Sequence, residues 1–172
     1  LLTLTRKMAD NPSLEVDEAV YLSEKSTGNK NRALAYMLKA YGKTDVGNVR
    51  EMNQDDFNCG VLGDKEAVFA VVCDGMGGVN GGEVASGMLA KYIEDTLFVH
   101  NESPSFNHEK AVMSAIEDAN SAIFSMGNKK QEYHGMGTTV AGVVIDKNQC
   151  TVYHAGDSRV YIVRDGMLAL IT

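Results

Sequence analysis

Five consecutive apolar residues, Val68, Phe69, Ala70, Val71 and Val72, are followed abruptly by an acid and a cluster of glycines. The run is too short for a helix and is bounded by turn chemistry, so it predicts a core strand, with Asp74 where that strand stops. Gly75, Gly77, Gly78, Gly81 and Gly82 then allow positive φ and close backbone approach. An amphipathic helix is predicted over about 83–98, with Val84, Ala85, Met88, Leu89, Tyr92 and Ile93 on one face and Glu94 and Asp95 on the other. After a loop at Ser103-Pro104-Ser105, a second helix over about 107–126 places Val112, Ala115, Ile116, Ala119 and Ile123 at core spacing. Strands are predicted at 138–145, 150–155 and 160–164, with hairpin turns at 146–148 and at Asp165-Gly166. Upstream, 44–49 and 57–62 are further candidate strands, the latter joined to the central strand through Gly63-Asp64.

Residues 1–41 differ in kind and read as helical. Leu4 and Met8 belong to a short piece ending near Asn11-Pro12, 17–23 suggests another turn or two, and Ala33, Leu34, Met37 and Leu38 form one apolar stripe. The composition shift at Gly42 divides the chain into 1–41 and 42–172. Strands, two helices and strands again is an α+β order, with antiparallel sheets flanked by helices and a short helical segment in front.

Composition narrows the function. The 172 residues, 44% hydrophobic and 23% charged, suit one folded domain, and a net charge of −7 without a Lys/Arg cluster argues against nucleic acid or an anionic membrane as partner. No apolar run approaches the roughly 20 residues needed to span a bilayer, and no signal-peptide pattern opens the chain. Cys59, Cys73 and Cys150 are odd in number and lack any CxxC pair, which favours buried reduced thiols and a cytoplasmic setting over a disulfide or zinc site. The chain opens on Leu1-Leu2 without a Met, and is expected to begin inside a larger gene product.

An acid held at a strand end beside glycine carbonyls can bind a hard divalent cation through carboxylate, carbonyl and water oxygens. The alternative for Asp74 is a turn acid. The string Asp74-Gly-Met-Gly-Gly resembles the metal-dependent PPM-type serine/threonine phosphatases. So do, in the family's order and approximate spacing, Thr44-Asp-Val-Gly-Asn-Val-Arg-Glu-Met-Asn-Gln-Asp-Asp56, Gly135-Met-Gly-Thr-Thr139 and Ala155-Gly-Asp-Ser-Arg159. The resemblance covers about 42–172 and implies the first half of an α-β-β-α sandwich that hydrolyses phosphoserine or phosphothreonine in phosphorylated protein substrates, using Mn2+ or Mg2+. It implies that Asp74 bridges two metal ions, Gly75 offers its carbonyl to one, and Asp55 supports nearby water. Arg50 stands at the phosphate-binding position, where a guanidinium fork suits bidentate contact; otherwise it is a surface charge. Asp157 matches an acid serving a further, weaker metal in bacterial members, or is a turn Asp bonding its own backbone. Gln54 stands where many relatives carry Glu, and Met76 where some carry a general-acid His. Thr138 and Thr139 read as strand residues, His134 and His154 as surface or structural groups. The family draws further metal-binding aspartates from its second half, so this chain is expected to be an impaired phosphatase whose exposed sheet edges could self-associate.

A second resemblance lies in Val16-Asp-Glu-Ala-Val-Tyr-Leu-Ser-Glu-Lys-Ser-Thr-Gly-Asn-Lys-Asn-Arg-Ala-Leu-Ala-Tyr36, which is similar to an internal segment of bacterial glutaminases. There the positions matching Glu24 and Asn31 contact glutamine, but that family's nucleophilic Ser-x-x-Lys is not found in a matching context. Glu24 and Asn31 are otherwise a solvated carboxylate and a helix-start amide. Two rivals to a phosphatase therefore stand: a non-catalytic regulatory or binding module of the same fold, and a glutaminase fragment joined, naturally or artificially, to the rest.

Overall fold

The computed structural model describes residues 2–5, 18–26, 36–63, 67–76, 81–100, 107–146 and 149–172. Three strands come first, β1 (Leu2–Thr5), β2 (Glu18–Ser26) and β3 (Tyr36–Thr44), followed by β4 (Asp55–Leu62) and β5 (Ala67–Met76). Helices α1 (Gly82–His100) and α2 (His108–Lys129) and a 3-10 turn (Gln131–Tyr133) lead to β6 (Gly137–Thr138), β7 (Val140–Asp146), β8 (Gln149–Ala155), β9 (Arg159–Arg164) and β10 (Met167–Leu170). The strands form two five-stranded antiparallel sheets, one ordered β10-β9-β1-β2-β3 and one ordered β4-β5-β7-β8 with β6 added to β5.

β5 explains its own sequence. Side chains alternate between faces along a strand, and both faces of β5 are covered. Phe69, Val71 and Cys73 pack with Ala85, Leu89, Ile93 and Leu97 of α1 and Val112, Ala115, Ala119 and Ile123 of α2. Val68, Ala70 and Val72 pack instead with Ala141, Val143 and Val160, against which Leu38, Phe57, Cys59 and Ile162 are laid. A strand with two dry faces needs an unbroken apolar run, and burying each such side chain contributes about 1.5–3 kcal/mol. Phe69 also meets Phe98 edge to face, with centroids 5.7 Å apart. The molecule is thus layered as helices, sheet, then sheet, with one core between helices and sheet and a second between the sheets.

Most elements after position 55 follow the periodicity, including both helices and the Asp165-Gly166 turn, whose φ values of 53° and 76° suit a two-residue hairpin loop. Four expectations need correction. The stretch before Gly42 is not helical where it is described: Leu4 lies in β1, 18–23 in β2, and Met37 and Leu38 in β3. In β3 the working period is two, with Leu38 and Ala40 on the inter-sheet core and Tyr41 54% exposed, so pairing with β2 overrides the local helical spacing. The candidate strand at 44–49 is only the end of β3 and a loop, in which the Gly47 N–H donates to Asp45 Oδ1 at 2.9 Å. β5 does not stop at Asp74 but runs on to Met76. Of the three free cysteines only Cys73 is buried; Cys59 is half-buried, and Cys150 is exposed on the edge strand β8. Met8, the Asn11-Pro12 break, Asn31, Ala33, Leu34, Gly77, Gly78 and the loop at 103–105 lie outside the described residues. No helix among the described residues is long and apolar enough to cross a membrane.

Candidate functional site

Asp55 and Asp74 are direct partners across the β4–β5 ladder. Directly opposed residues of an antiparallel pair project from the same face with Cβ atoms about 4.5–5.5 Å apart. Their parity is that of Phe57 and Val72, so both acids stand on the inter-sheet side, at the end of that core. Asp55 is only 9% exposed and Asp74 is half-buried. Two acidic side chains set opposite each other repel, and partial burial makes that repulsion harder for water to screen. A cation shared between them reverses the sign of the interaction.

The backbone around Asp74 is held by hydroxyls. Its N–H donates to Thr139 Oγ1 at 3.0 Å, while its carbonyl accepts from the Thr139 N–H at 2.9 Å and from the Thr138 hydroxyl at 3.1 Å. Those contacts come from the junction of β6 and β7, where Gly137 and Thr138 pair with Met76 and Gly75 at the end of β5. On the other side the Gly75 N–H donates to the Gln54 carbonyl at 3.1 Å. The same carbonyl accepts from the buried Ser86 hydroxyl at 2.7 Å, and that hydroxyl also reaches the Gly82 carbonyl at 3.0 Å. A Cβ on Gly75 would run into the carbonyl oxygens of Gly82 and Gln54. Strand β5, the entry to β4 and the first turn of α1 therefore cross at one glycine. Glu83 folds back so that its carboxylate accepts from the Gly81 N–H at 3.2 and 3.3 Å and from Gln54 Nε2 at 3.5 Å, placing an acid at the positive end of α1.

The other expected residues lie on loops and on other strands. Arg50 is exposed on the loop from 45 to 54, whose base is closed by Asn53 Nδ2 donating to Thr44 Oγ1 at 2.6 Å and by the Asp55 N–H donating to Asn53 Oδ1 at 3.1 Å. Asp157 is exposed in the turn between β8 and β9. The structure thus brings Asp55, Asp74 and Gly75 together, and places Arg50 and Asp157 on adjoining loops rather than on the ladder. Met76 is 53% exposed at the end of β5. His134 and His154 are both exposed. Glu24 lies in β2 opposite Leu38, within the sheet that β1, β9 and β10 complete.

Two carboxylates on one face beside a close-packed glycine backbone suit a hard, oxygen-seeking divalent cation. Among the described residues no cluster of three or more His, Cys, Asp or Glu side chains stands ready for a metal, so the fit rests on the acid pair. Sequence reasoning reads Thr138 and Thr139 only as strand residues and does not single out Ser158 or Ser86. Hydroxyl residues beside glycines were the only signal, and their partners lie between 32 and 65 positions away for the Ser86–Gln54 and Thr139–Asp74 contacts.

Comparison with known proteins bears on the family and the fold. The family described as protein phosphatase 2C matches residues 48–172. The serine/threonine protein phosphatase PstP of Mycobacterium tuberculosis is 32% identical over 136 residues, covering 79% of this chain and 25% of that protein. Among solved structures, the phosphatase Stp1 of Staphylococcus aureus superposes with a TM-score of 0.71 at 28% identity, over 85% of this chain and 57% of its own. The catalytic domain of PstP in complex with two manganese ions gives 0.65 at 27% identity, over 90% and 56%. The chain spans about half the length of these solved relatives. The glutaminase family matches residues 1–60, and a glutaminase of Natranaerobius thermophilus is 46% identical over 63 residues, 36% of this chain and 20% of that enzyme. The two family matches overlap at 48–60, and the first covers most of the chain. With its antiparallel sandwich, its two covering helices and its paired acids at the end of the inter-sheet core, the chain belongs to the protein phosphatase 2C family.

Proposed function

We propose that this chain carries the acid-pair half of a metal-dependent protein phosphatase site, acting on phosphoserine or phosphothreonine in proteins. The observation that carries the reading is the direct opposition of Asp55 and Asp74 on the inter-sheet face. In this reading the two carboxylates, with the backbone of Gly75, hold Mn2+ or Mg2+. The cation supplies Lewis-acid charge to the phosphoryl oxygens and a nucleophile at neutral pH. Arg50, on its exposed loop, grips the phosphate through its guanidinium fork, which orients the phosphorus toward the acid pair. Asp157 serves a further, weaker cation from its turn. Met76 has no proton to give, so the chain offers no side-chain acid at that place. Residues 1–41 form a glutaminase-derived segment joined to the phosphatase sequence at about 42. That proposal is supported by the glutaminase match, which runs over residues 1–60 and so past position 42, as does β3, Tyr36–Thr44. On that reading Glu24 is a strand residue.

The test is phosphate release from a phosphothreonine peptide in Mn2+. Release that stops in Asp74→Asn, and an Arg50→Ala variant whose KM rises more than its kcat falls, would support the assignment. Binding of Mn2+ without any release would instead favour a non-catalytic module of the same fold.

A further inference from the structure

Thr139 and Ser158 form a buried hydroxyl pair, 2% and 1% exposed, with their oxygens 2.7 Å apart. Neither hydroxyl belongs to the acid pair, yet one of them touches it through the backbone. Thr139 Oγ1 accepts from the Asp74 N–H at 3.0 Å, and the Thr139 N–H donates to the Asp74 carbonyl at 2.9 Å, so this residue grips both sides of the Asp74 backbone. Ser158 immediately follows Asp157. Its neighbour Gly156, at φ +105°, is pressed onto the same threonine: a Cβ there would come within 2.7 Å of Thr139 Cγ2 and 2.9 Å of Thr139 Cβ. Only a residue that tolerates left-handed backbone and lacks a side chain fits that place. A buried hydroxyl left without a partner is costly, so each hydroxyl holds the other in place.

We propose that Thr139 and Ser158 are positioning residues that fix Asp74 and tie the Asp157 turn to it, so that cation binding at the acid pair depends on a hydroxyl pair that never touches the cation. The inference rests on the reading of Asp74 as a metal-holding residue. Groups behind a metal's own ligands hold those ligands in orientation, and losing one such group typically costs roughly 10- to 100-fold in affinity. Thr139→Val keeps the shape of the side chain and removes its hydroxyl, whereas Thr139→Ser keeps the hydroxyl.

The experiment is calorimetric titration of Mn2+ into the unaltered chain and into Asp74→Asn, Thr139→Val, Thr139→Ser and Ser158→Ala, with a thermal melt of each as a check on folding. The proposal expects Thr139→Val to stay folded but bind roughly 10- to 100-fold more weakly, Thr139→Ser to bind close to the unaltered chain, and Ser158→Ala to lose several-fold. If Thr139→Val fails to fold, Ser158→Ala, which leaves the Asp74 N–H its acceptor, decides the matter by the same criterion. Binding lost in Asp74→Asn but unchanged in the folded hydroxyl variants overturns the positioning role alone. A parent chain that binds no Mn2+, or binding indifferent to Asp74→Asn, overturns the metal reading and this inference with it.

Discussion

Tyr153 shows how a single residue's character can be set by its surroundings. Its ring lies over Gly142, its partner on β7, filling the space a side chain there would take. The hydroxyl is buried and finds no hydrogen-bond partner among the described residues. Burial, and secondarily the nearby Cys73, push its pKa far above the ordinary tyrosine value. A group whose folded pKa is raised contributes stability that is fully present below its unfolded value, about 10, and is lost as pH rises toward the folded one. Tyr153→Phe removes both the orphaned hydroxyl and that alkaline loss. It should stabilise the protein by about 1 kcal/mol near neutrality, and denaturant melts above about pH 10 should fall less steeply than the parent's; a variant less stable at every pH would contradict this. Nothing in the sequence around Tyr153 could have disclosed it. The expectation for Asp74, Asp55 and Arg50 rests on the spacing of a motif. Thr139 and Ser158 lie inside such motifs too, but their pairing, like the setting of Tyr153, depends on a neighbour elsewhere in the fold.

At the scale of elements, the crossing of β5, α1 and the entry to β4 at Gly75 is the tightest constraint near the acids. The obstacles to a side chain there are backbone carbonyls, which cannot swing aside as a flexible side chain would. Gly75→Ala should therefore cost about 3 kcal/mol, at the upper end for overpacking, as read by chemical denaturation; a loss under about 1 kcal/mol would show that the crossing is looser than it stands. The same scale separates what periodicity could and could not reveal. β5 and both helices are readable because each helix buries a regular face and β5 buries two. The strands before Gly42 were misread as helix because in β3 the spacing of Met37 and Leu38 suits either period, and only pairing with β2 selects the strand. The stretch 44–49 reads as a strand by composition although Asp45 and Gly47 already carry turn chemistry.

For the whole molecule, two sheets face each other across one core while two helices cover a second, and the acid pair stands at the end of the inter-sheet core rather than on either outer surface. On the proposed reading this arrangement sets function against stability, because two opposed acids would weaken the empty fold and a cation joining them would offset that. The most direct measurement is the thermal midpoint of the chain and of Asp74→Asn, each with and without Mn2+. The account predicts that Mn2+ at about a hundredfold excess over Kd raises the parent's midpoint by roughly 5–10 °C. It predicts also that Asp74→Asn melts slightly higher than the parent without metal and gains nothing from it. A parent midpoint that ignores Mn2+, or a gain that survives in Asp74→Asn, would contradict the assignment of the Asp55–Asp74 pair as the metal-holding centre.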